Sequence, residues 1–237
     1  LEQSKAYRAE AAPEKPADVK TPTQPANQMP TQDPKAEGWA SKNSWFGQDR
    51  AMTYTAFEIH KDLVEKGQHP EVMVIACSDS RVNPPIITQA TPGEIFVVRN
   101  VANLVPNYRT DHNCATSACI EFAVRDLGVK HIVVLGHSEC GGIKRLCEHK
   151  RIGRERDFID GWVSIAEKAG ATDLEGFEKL RHVERAAIGI SLENLLTFPW
   201  LKQRVKEGNL ELHGWFFDLE TGNLLTKTAI GEWNVLA

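Results

Sequence analysis

The chain of 237 residues has 41% hydrophobic and 25% charged residues and a formal net charge of −4. These values are typical of a globular protein with one large domain, or with one domain and an added arm. The slightly negative charge and the lack of a Lys/Arg-rich run give no support for a nucleic-acid partner, and no apolar stretch is long enough to span a bilayer.

The first 36 residues differ in composition from the rest of the chain. They contain six of the twelve prolines, separated mainly by Ala, Gln, Lys and Thr. Apart from a possible short helix over Leu1–Ala12, such a segment buries little apolar surface, so we expect residues 1–36 to form a flexible arm or linker. An arm that wraps a neighbouring subunit is the alternative. Because the chain begins at Leu1 rather than Met, we expect an upstream segment to have been removed, by processing or by trimming.

Residues 37–237 are expected to form the globular domain, in which strand and helix patterns alternate. Apolar runs predict strands at Val72–Ala76, Ile95–Val98 and His131–Leu135. Helical spacing predicts helices over residues 50–66, 114–127, 143–147, 183–197 and 199–208. A strand over 210–217 and a turn at 220–223 predict a closing hairpin. This alternation indicates an α/β fold with a mainly parallel central sheet and flanking helices.

Two polar motifs directly follow buried strands. Cys77-Ser78-Asp79-Ser80-Arg81 follows the first predicted strand, and His137-Ser138-Glu139-Cys140-Gly141-Gly142 follows the third. Two thiols and an imidazole are ligand types that hold zinc. Functional sites of parallel sheets form where the carboxyl ends of strands lie side by side. We therefore expect Cys77, His137 and Cys140 to meet and to bind one Zn²⁺ per chain.

The pair Asp79 and Arg81, beside the first thiol, indicates a site whose fourth metal position can open. Asp79 can occupy that position and close the site. Alternatively it pairs with Arg81, whose planar fork suits a bidentate carboxylate. We assign Arg81 to holding Asp79 off the metal.

The remaining cysteines, Cys114, Cys119 and Cys147, fall within helical patterns and are interpreted as small core residues. An odd cysteine count without regular spacing argues against a disulfide framework. Thiolate metal ligands indicate a reducing compartment, which is the cytoplasm or an organelle interior.

The two motifs resemble those of the β-class carbonic anhydrases. The resemblance rests on Cys-Ser-Asp-Ser-Arg-Val at 77–82 and Gly-His-Ser-Glu-Cys-Gly-Gly at 136–142, and it extends through Pro92–Glu94, Phe96–Asn103 and Gly214-Trp215. It covers about residues 40 to 225. Within the family the chain resembles the plant-like, permanently open branch, with Gln68 in the place of an active-site glutamine.

The resemblance implies the β-carbonic anhydrase fold and the reversible hydration of CO2 to bicarbonate and a proton by a zinc-bound hydroxide. Asp79 and Arg81 are then the catalytic pair, with Asp79 accepting a hydrogen bond from the hydroxide. The expected assembly is a homodimer or a dimer of dimers.

The resemblance also implies a substrate site. Phe96, Val101 and Phe122 are expected to form an apolar wall for CO2, with some of them reaching across a subunit boundary. Gln68 and the backbone N–H of Gly141 are expected to orient the oxygen atoms of CO2 or bicarbonate.

Three other interpretations are weighed against this one. The same fold could hydrolyse carbon disulfide or carbonyl sulfide, or it could serve as a non-catalytic zinc- or anion-binding module. Loss of Asp79 or Arg81 would favour the non-catalytic module, and both residues are present. A dinucleotide-binding domain lacks support, because Gly136–Gly142 contains no Gly-x-Gly-x-x-Gly pattern.

Overall fold

The structure, a computed structural model, describes residue 38 and residues 41–111, 113–152, 156–228 and 231–236. The expected arm, residues 1–36, and the expected helix over Leu1–Ala12 lie outside these ranges. The chain divides into two compact units between Glu58 and Ile59. Among the described residues, no helix combines the length and the apolar character needed to cross a membrane.

Helices and strands alternate along the chain. The helices are α1 (Arg50–Lys66), α2 (Pro84–Thr88), α3 (Ala115–Glu121), α4 (Gly141–Ile152), α5 (Ile159–Val163), α6 (Gly176–Leu195) and α7 (Pro199–Lys206). The strands are β1 (Val72–Cys77), β2 (Ile95–Asn100), β3 (His131–His137), β4 (Glu211–Phe217), β5 (Leu224–Lys227) and β6 (Trp233–Val235). A π-helical turn, Phe122–Asp126, extends α3, and 3₁₀ turns lie at Val101–Asn103 and Ser164–Gly170.

Within the described ranges the strands form one six-stranded sheet in the order β2-β1-β3-β4-β5-β6. β2, β1, β3 and β4 are mutually parallel, while β5 and β6 continue the sheet with antiparallel pairing. The predicted mainly parallel α/β fold is therefore confirmed, as is the closing hairpin between β4 and β5.

The central strands are apolar throughout because both faces of the sheet are covered. Met73 and Ile75 of β1 pack into a cluster with Ile120, Ile188 and Leu201. The alternate residues of the same strand pack on the opposite face, against Val82, Leu135 and Leu224. Strands buried on both faces lose the alternation of polar and apolar residues, which explains the unbroken apolar runs in the sequence.

Local signals explain why α1 matches its predicted bounds. In the first unit, the Asp49 side chain accepts a hydrogen bond from the Met52 backbone N–H at 3.0 Å, which caps the start of the helix. In the second unit, Gly67 adopts a φ of +62° directly after the last helical residue. Glycine tolerates this left-handed conformation and ends helices for that reason.

One predicted helix has wrong bounds, and two short elements were not predicted. The predicted helix 183–197 begins seven residues earlier, at Gly176, because its exposed first turns carry little apolar periodicity. The five-residue helix α2 was not predicted, since a helix that begins with two prolines is too short to show a period. β6 was also missed, because its three residues are stabilised by pairing with β5.

Gly136 allows α6 to lie close to the carboxyl end of β3. A Cβ atom at this position would lie 2.6 Å from Cδ1 and 2.8 Å from Cγ1 of Ile188, a buried residue of α6. A Cβ at position 136 would therefore force the Ile188 side chain, or α6 itself, to move next to His137.

The substitution Gly136→Ala is expected to lower the free energy of unfolding by about 1–3 kcal/mol, since it overpacks a full core. Urea unfolding measures this change. Adding Ile188→Val removes the Cδ1 atom and should recover part of the loss. Gly161→Ala is the control, because a Cβ at Gly161 meets open space. A Gly136→Ala protein as stable as the wild type would contradict the packing argument.

Candidate functional site

Cys77, His137 and Cys140 lie together at the carboxyl edge of the sheet. Cys77 ends β1, His137 ends β3, and Cys140 directly precedes α4. All three are buried, and their ligand atoms lie within 4.8 Å of one another. The two sulfur atoms are 3.9 Å apart. The structure thus brings together the three residues that the sequence predicted as metal ligands.

The imidazole of His137 is oriented for metal binding. Its Nδ1 lies 2.8 Å from the carbonyl oxygen of Ser138, to which it donates, and this leaves the lone pair on Nε2. Burial lowers the pKa of the ring, but the nearby Cys77 sulfur and the Ser138 carbonyl together raise it further. Nε2 is buried, and none of the described residues forms a hydrogen bond with it. A buried nitrogen without a hydrogen-bond partner, beside two sulfurs, fits a zinc ion that takes all three as ligands.

The two thiols are electrostatically coupled. The hydrogen bond between the sulfur atoms lowers the pKa of Cys77 to about 4, while the same contact, together with burial, raises the pKa of Cys140. Cys77 therefore loses its proton easily, whereas Cys140 retains its own. A divalent cation between the sulfurs favours loss of the second proton as well, since metal ligation requires thiolates.

Glu184 supports the metal ligands from α6. Its buried carboxylate accepts a hydrogen bond from the Cys140 backbone N–H at 2.9 Å, and Arg181 lies 3.4 Å from its other oxygen. Burial raises the pKa of Glu184, against the opposing effect of these donors. The sequence motifs did not point to Glu184. The available signal was its helical spacing, because position 184 lies on the same face of α6 as the buried Ile188 and Ser191.

Asp79 and Arg81 form a bidentate pair beside the ligands. Arg81 Nε donates to Asp79 Oδ1 at 2.9 Å, and Nη2 donates to Oδ2 at 2.7 Å. The same Nη2 also donates to the carbonyl oxygen of Glu139 at 3.2 Å, so Arg81 connects the loops that follow β1 and β3. These hydrogen bonds hold the pKa of Asp79 well below its usual range, and its carboxylate is therefore ionised at neutral pH.

Arg99 fixes the loop that carries Asp79. From β2, its guanidinium donates to the carbonyl oxygens of Cys77 at 2.9 Å, Asp79 at 2.6 Å and Val82 at 2.8 Å. This role of Arg99 was not predicted from the sequence. Three backbone acceptors from one loop leave this loop little freedom, which restricts the position of the Asp79 carboxylate.

Two contacts involve the residues expected to form the apolar wall. The rings of Phe96 and Phe122 are in contact, with centroids 5.9 Å apart. Val101 lies against the first turn of α4, since a Cβ added to Gly142 would be 2.7 Å from Val101 Cγ1. Phe122 is 43% and Val101 39% exposed in the single chain. Gly141, the first residue of α4, is also exposed.

Gln68 precedes the strand whose last residue is Cys77. It lies in the exposed segment before β1, whereas Cys77 ends that strand. The strand separates its first and last residues by about 16 Å. The predicted contact of Gln68 with substrate therefore stays a prediction.

Comparison with known proteins agrees with the fold and the ligand set. The sequence model of the carbonic anhydrase family matches residues 72–224. The chain is 42% identical over 168 residues to β carbonic anhydrase 5, chloroplastic, of Arabidopsis thaliana, a match that covers 68% of this chain and 55% of the relative. This chain belongs to the carbonic anhydrase family, and within it to the β class. It spans about half the length of the Arabidopsis relative.

Solved structures of the same class share the fold. The β-carbonic anhydrase CcaA superposes with a TM-score of 0.73 at 29% identity, over 86% of this chain and 93% of that one. A tetrameric β-carbonic anhydrase of Sordaria macrospora gives a TM-score of 0.62 at 30% identity, over 82% and 97% of the two chains. The family and the fold expected from the two motifs are therefore confirmed.

The contact between Glu184 and Cys140 predicts that Glu184→Ala weakens zinc binding about 10- to 100-fold, the usual effect of losing a residue that supports a ligand. Competition with a chromophoric chelator measures this affinity. Glu184→Gln retains a carbonyl acceptor and should bind zinc more tightly than the Ala variant.

The matched control is Glu193→Ala, which removes an exposed carboxylate from the same helix. It should leave zinc affinity unchanged. Wild-type affinity in Glu184→Ala would show that the hydrogen bond to the Cys140 backbone has no effect on the metal.

Proposed function

We propose that this chain catalyses the reversible hydration of CO2 to bicarbonate and a proton. The observation that carries the proposal is the buried group of Cys77, His137 and Cys140, next to an ionised carboxylate that an arginine holds in place. Within the described part of the chain, the buried Nε2 of His137 has no hydrogen-bond partner. Zinc held by these ligands supplies a nucleophilic water at neutral pH, which the weak electrophile CO2 requires.

Asp79 is proposed to orient the attacking water by accepting a hydrogen bond from it. Two observations support this role. The carboxylate stays ionised at neutral pH, so it is an acceptor and not a donor, and it is fixed by two Arg81 nitrogens at 2.9 and 2.7 Å. Arg81 then acts by positioning, because its bidentate grip opposes movement of Asp79 onto the metal.

We propose that CO2 lies against Phe96, Val101 and Phe122, with the Gly141 N–H directed at one of its oxygens. An apolar wall suits an apolar substrate, and the first N–H groups of a helix have no partner within the helix. Gly141 is exposed at the start of α4, which leaves its N–H accessible to a ligand.

A homo-oligomer, a dimer or a dimer of dimers, is proposed to complete the site. Phe122 and Val101 are large apolar residues that a single chain leaves 43% and 39% exposed. Gln68 precedes β1, whereas Cys77 ends it, so we propose that Gln68 acts on substrate from a second copy of the chain. The Sordaria macrospora relative is described as tetrameric. Sedimentation measures the oligomeric state, and stopped-flow CO2 hydration measures activity at the same concentration. A protein that sediments as a monomer and is fully active would contradict this assembly.

Three further expectations remain proposals. The division into an arm, residues 1–36, and a catalytic domain, residues 37–237, is one. Membership of the plant-like branch is the second, supported by the 42% identity to an Arabidopsis protein. The third is a reducing compartment, the cytoplasm or an organelle interior. It is supported by the two thiolate ligands, and the Arabidopsis relative is named as chloroplastic.

Asp79→Asn is expected to retain zinc and to lose turnover about 100-fold or more, because Asn presents a weaker acceptor and frees Arg81. Stopped-flow CO2 hydration and metal analysis measure the two quantities. Asp111→Asn is a matched control, since Arg109 binds Asp111 with the same two-residue spacing and bidentate geometry, at 3.0 and 2.6 Å, on an exposed surface. Unchanged turnover in Asp79→Asn would exclude Asp79 from the mechanism.

The activity itself is tested by removing the metal. Stopped-flow CO2 hydration should disappear after treatment with a strong chelator and return with the first equivalent of zinc. Parallel assays of hydrogen sulfide release from carbon disulfide and carbonyl sulfide test the alternative substrates. Zinc-loaded protein that hydrates no CO2 but releases sulfide would support the hydrolase. A protein inactive in all three assays would support the non-catalytic zinc- or anion-binding module.

A further inference from the structure

A second group of metal-ligand side chains lies at the opposite edge of the sheet. His131, Glu211 and His213 present three ligand atoms on neighbouring strands. His131 Nδ1 is 3.2 Å from His213 Nε2, and each nitrogen is 3.7 Å from Glu211 Oε2. The same three atoms make all three contacts, so they form one compact triangle.

The parallel register of β3 and β4 creates this triangle. His131 is paired with Glu211, and His213 lies two residues further along β4, opposite Val133. Residues two apart on a strand share a face, and so do register partners on adjacent parallel strands. All three side chains therefore project from one face of the sheet at the amino ends of β3 and β4.

The site is separate from the proposed catalytic centre. His131 begins β3, whereas His137 ends it. Six residue steps along a strand span about 20 Å. An ion at His131 would therefore be too far away to share a ligand with Cys77 or Cys140.

The size of the triangle matches metal coordination. The centre of a triangle with sides of 3.2, 3.7 and 3.7 Å lies about 2.1 Å from each corner, the length of zinc bonds to imidazole nitrogen and carboxylate oxygen. Two imidazoles and one carboxylate form a donor set that zinc accepts, with further positions open to solvent.

We propose that His131, Glu211 and His213 bind a second divalent transition-metal ion. Zinc is the ion used to test this proposal. The side chains are accessible to an ion from solvent, with 38%, 65% and 34% of their surfaces exposed. The nearby cation Lys130 forms an ion pair with Glu71. Bound metal links the first residues of β3 and β4, and it stabilises the folded chain because an unfolded chain does not hold the three ligands together.

The experiment is a calorimetric titration of zinc into tag-free protein in which the site of Cys77, His137 and Cys140, here called the Cys77 site, is already loaded with zinc. We expect one additional ion per chain and a rise in the melting temperature with zinc concentration. His131→Gln and His213→Gln should each weaken binding of the added ion at least tenfold and reduce the rise in melting temperature at a given zinc concentration. Glu211→Gln should weaken it to a smaller extent, since an amide oxygen is a neutral ligand.

His182→Gln is the matched control, because it removes an exposed histidine outside both sites and should leave the second ion in place. Each variant is first shown to retain the zinc of the Cys77 site, which demonstrates that it is folded. Cobalt at the second site should give a d–d spectrum without the sulfur charge-transfer band expected of cysteine ligands.

Two outcomes would overturn the inference. One is the absence of a second ion at millimolar zinc, in which case the two rings only share a hydrogen bond. The other is a second ion that binds with unchanged affinity after both histidine substitutions, which would assign it to other residues. Neither outcome bears on CO2 hydration, because the proposed catalytic ligands lie at the other end of β3.

Discussion

β1 and β3 pair in parallel with Val72 opposite His131 and Ala76 opposite Leu135, so that both strands end at the same edge of the sheet. The position of Cys77 beside His137 and Cys140 depends on this register. Because both strands are buried on both faces, a shift by one residue would exchange the side chains that pack on the two faces. Core packing therefore fixes the distances between the metal ligands, including the 3.9 Å between the sulfurs.

Charged side chains from several elements hold the backbone of the loops around the ligands. Arg99 of β2 binds three carbonyl oxygens of the loop after β1, and Arg81 binds a carbonyl oxygen of the loop after β3. Glu184 of α6 accepts from the Cys140 backbone. Charged side chains thus connect three strands and a helix around the site. This arrangement favours a single geometry, because movement of either loop breaks several charge-assisted hydrogen bonds together.

The two ends of β3 carry different chemistry for topological reasons. At its carboxyl end, loops and the start of α4 leave room for a buried site with sulfur ligands. At its amino end, neighbouring strands themselves present His131, Glu211 and His213, which are partly exposed. A parallel sheet aligns the first residues of adjacent strands just as it aligns the last ones, so either edge can gather ligands that are distant in sequence.

The sequence by itself determined the α/β class, the central strands and the family, because unbroken apolar runs and two dense motifs are local patterns. It also predicted as metal ligands the three residues that the structure brings together. It did not determine where α6 begins or that β6 exists, since exposed helical turns and a three-residue strand have almost no periodicity. Glu184, Arg99 and the triangle of His131, Glu211 and His213 became evident only in the tertiary structure. Each depends on at least one contact between residues that are 17 to 82 positions apart in the chain, and only the packing of the sheet and α6 brings those residues together.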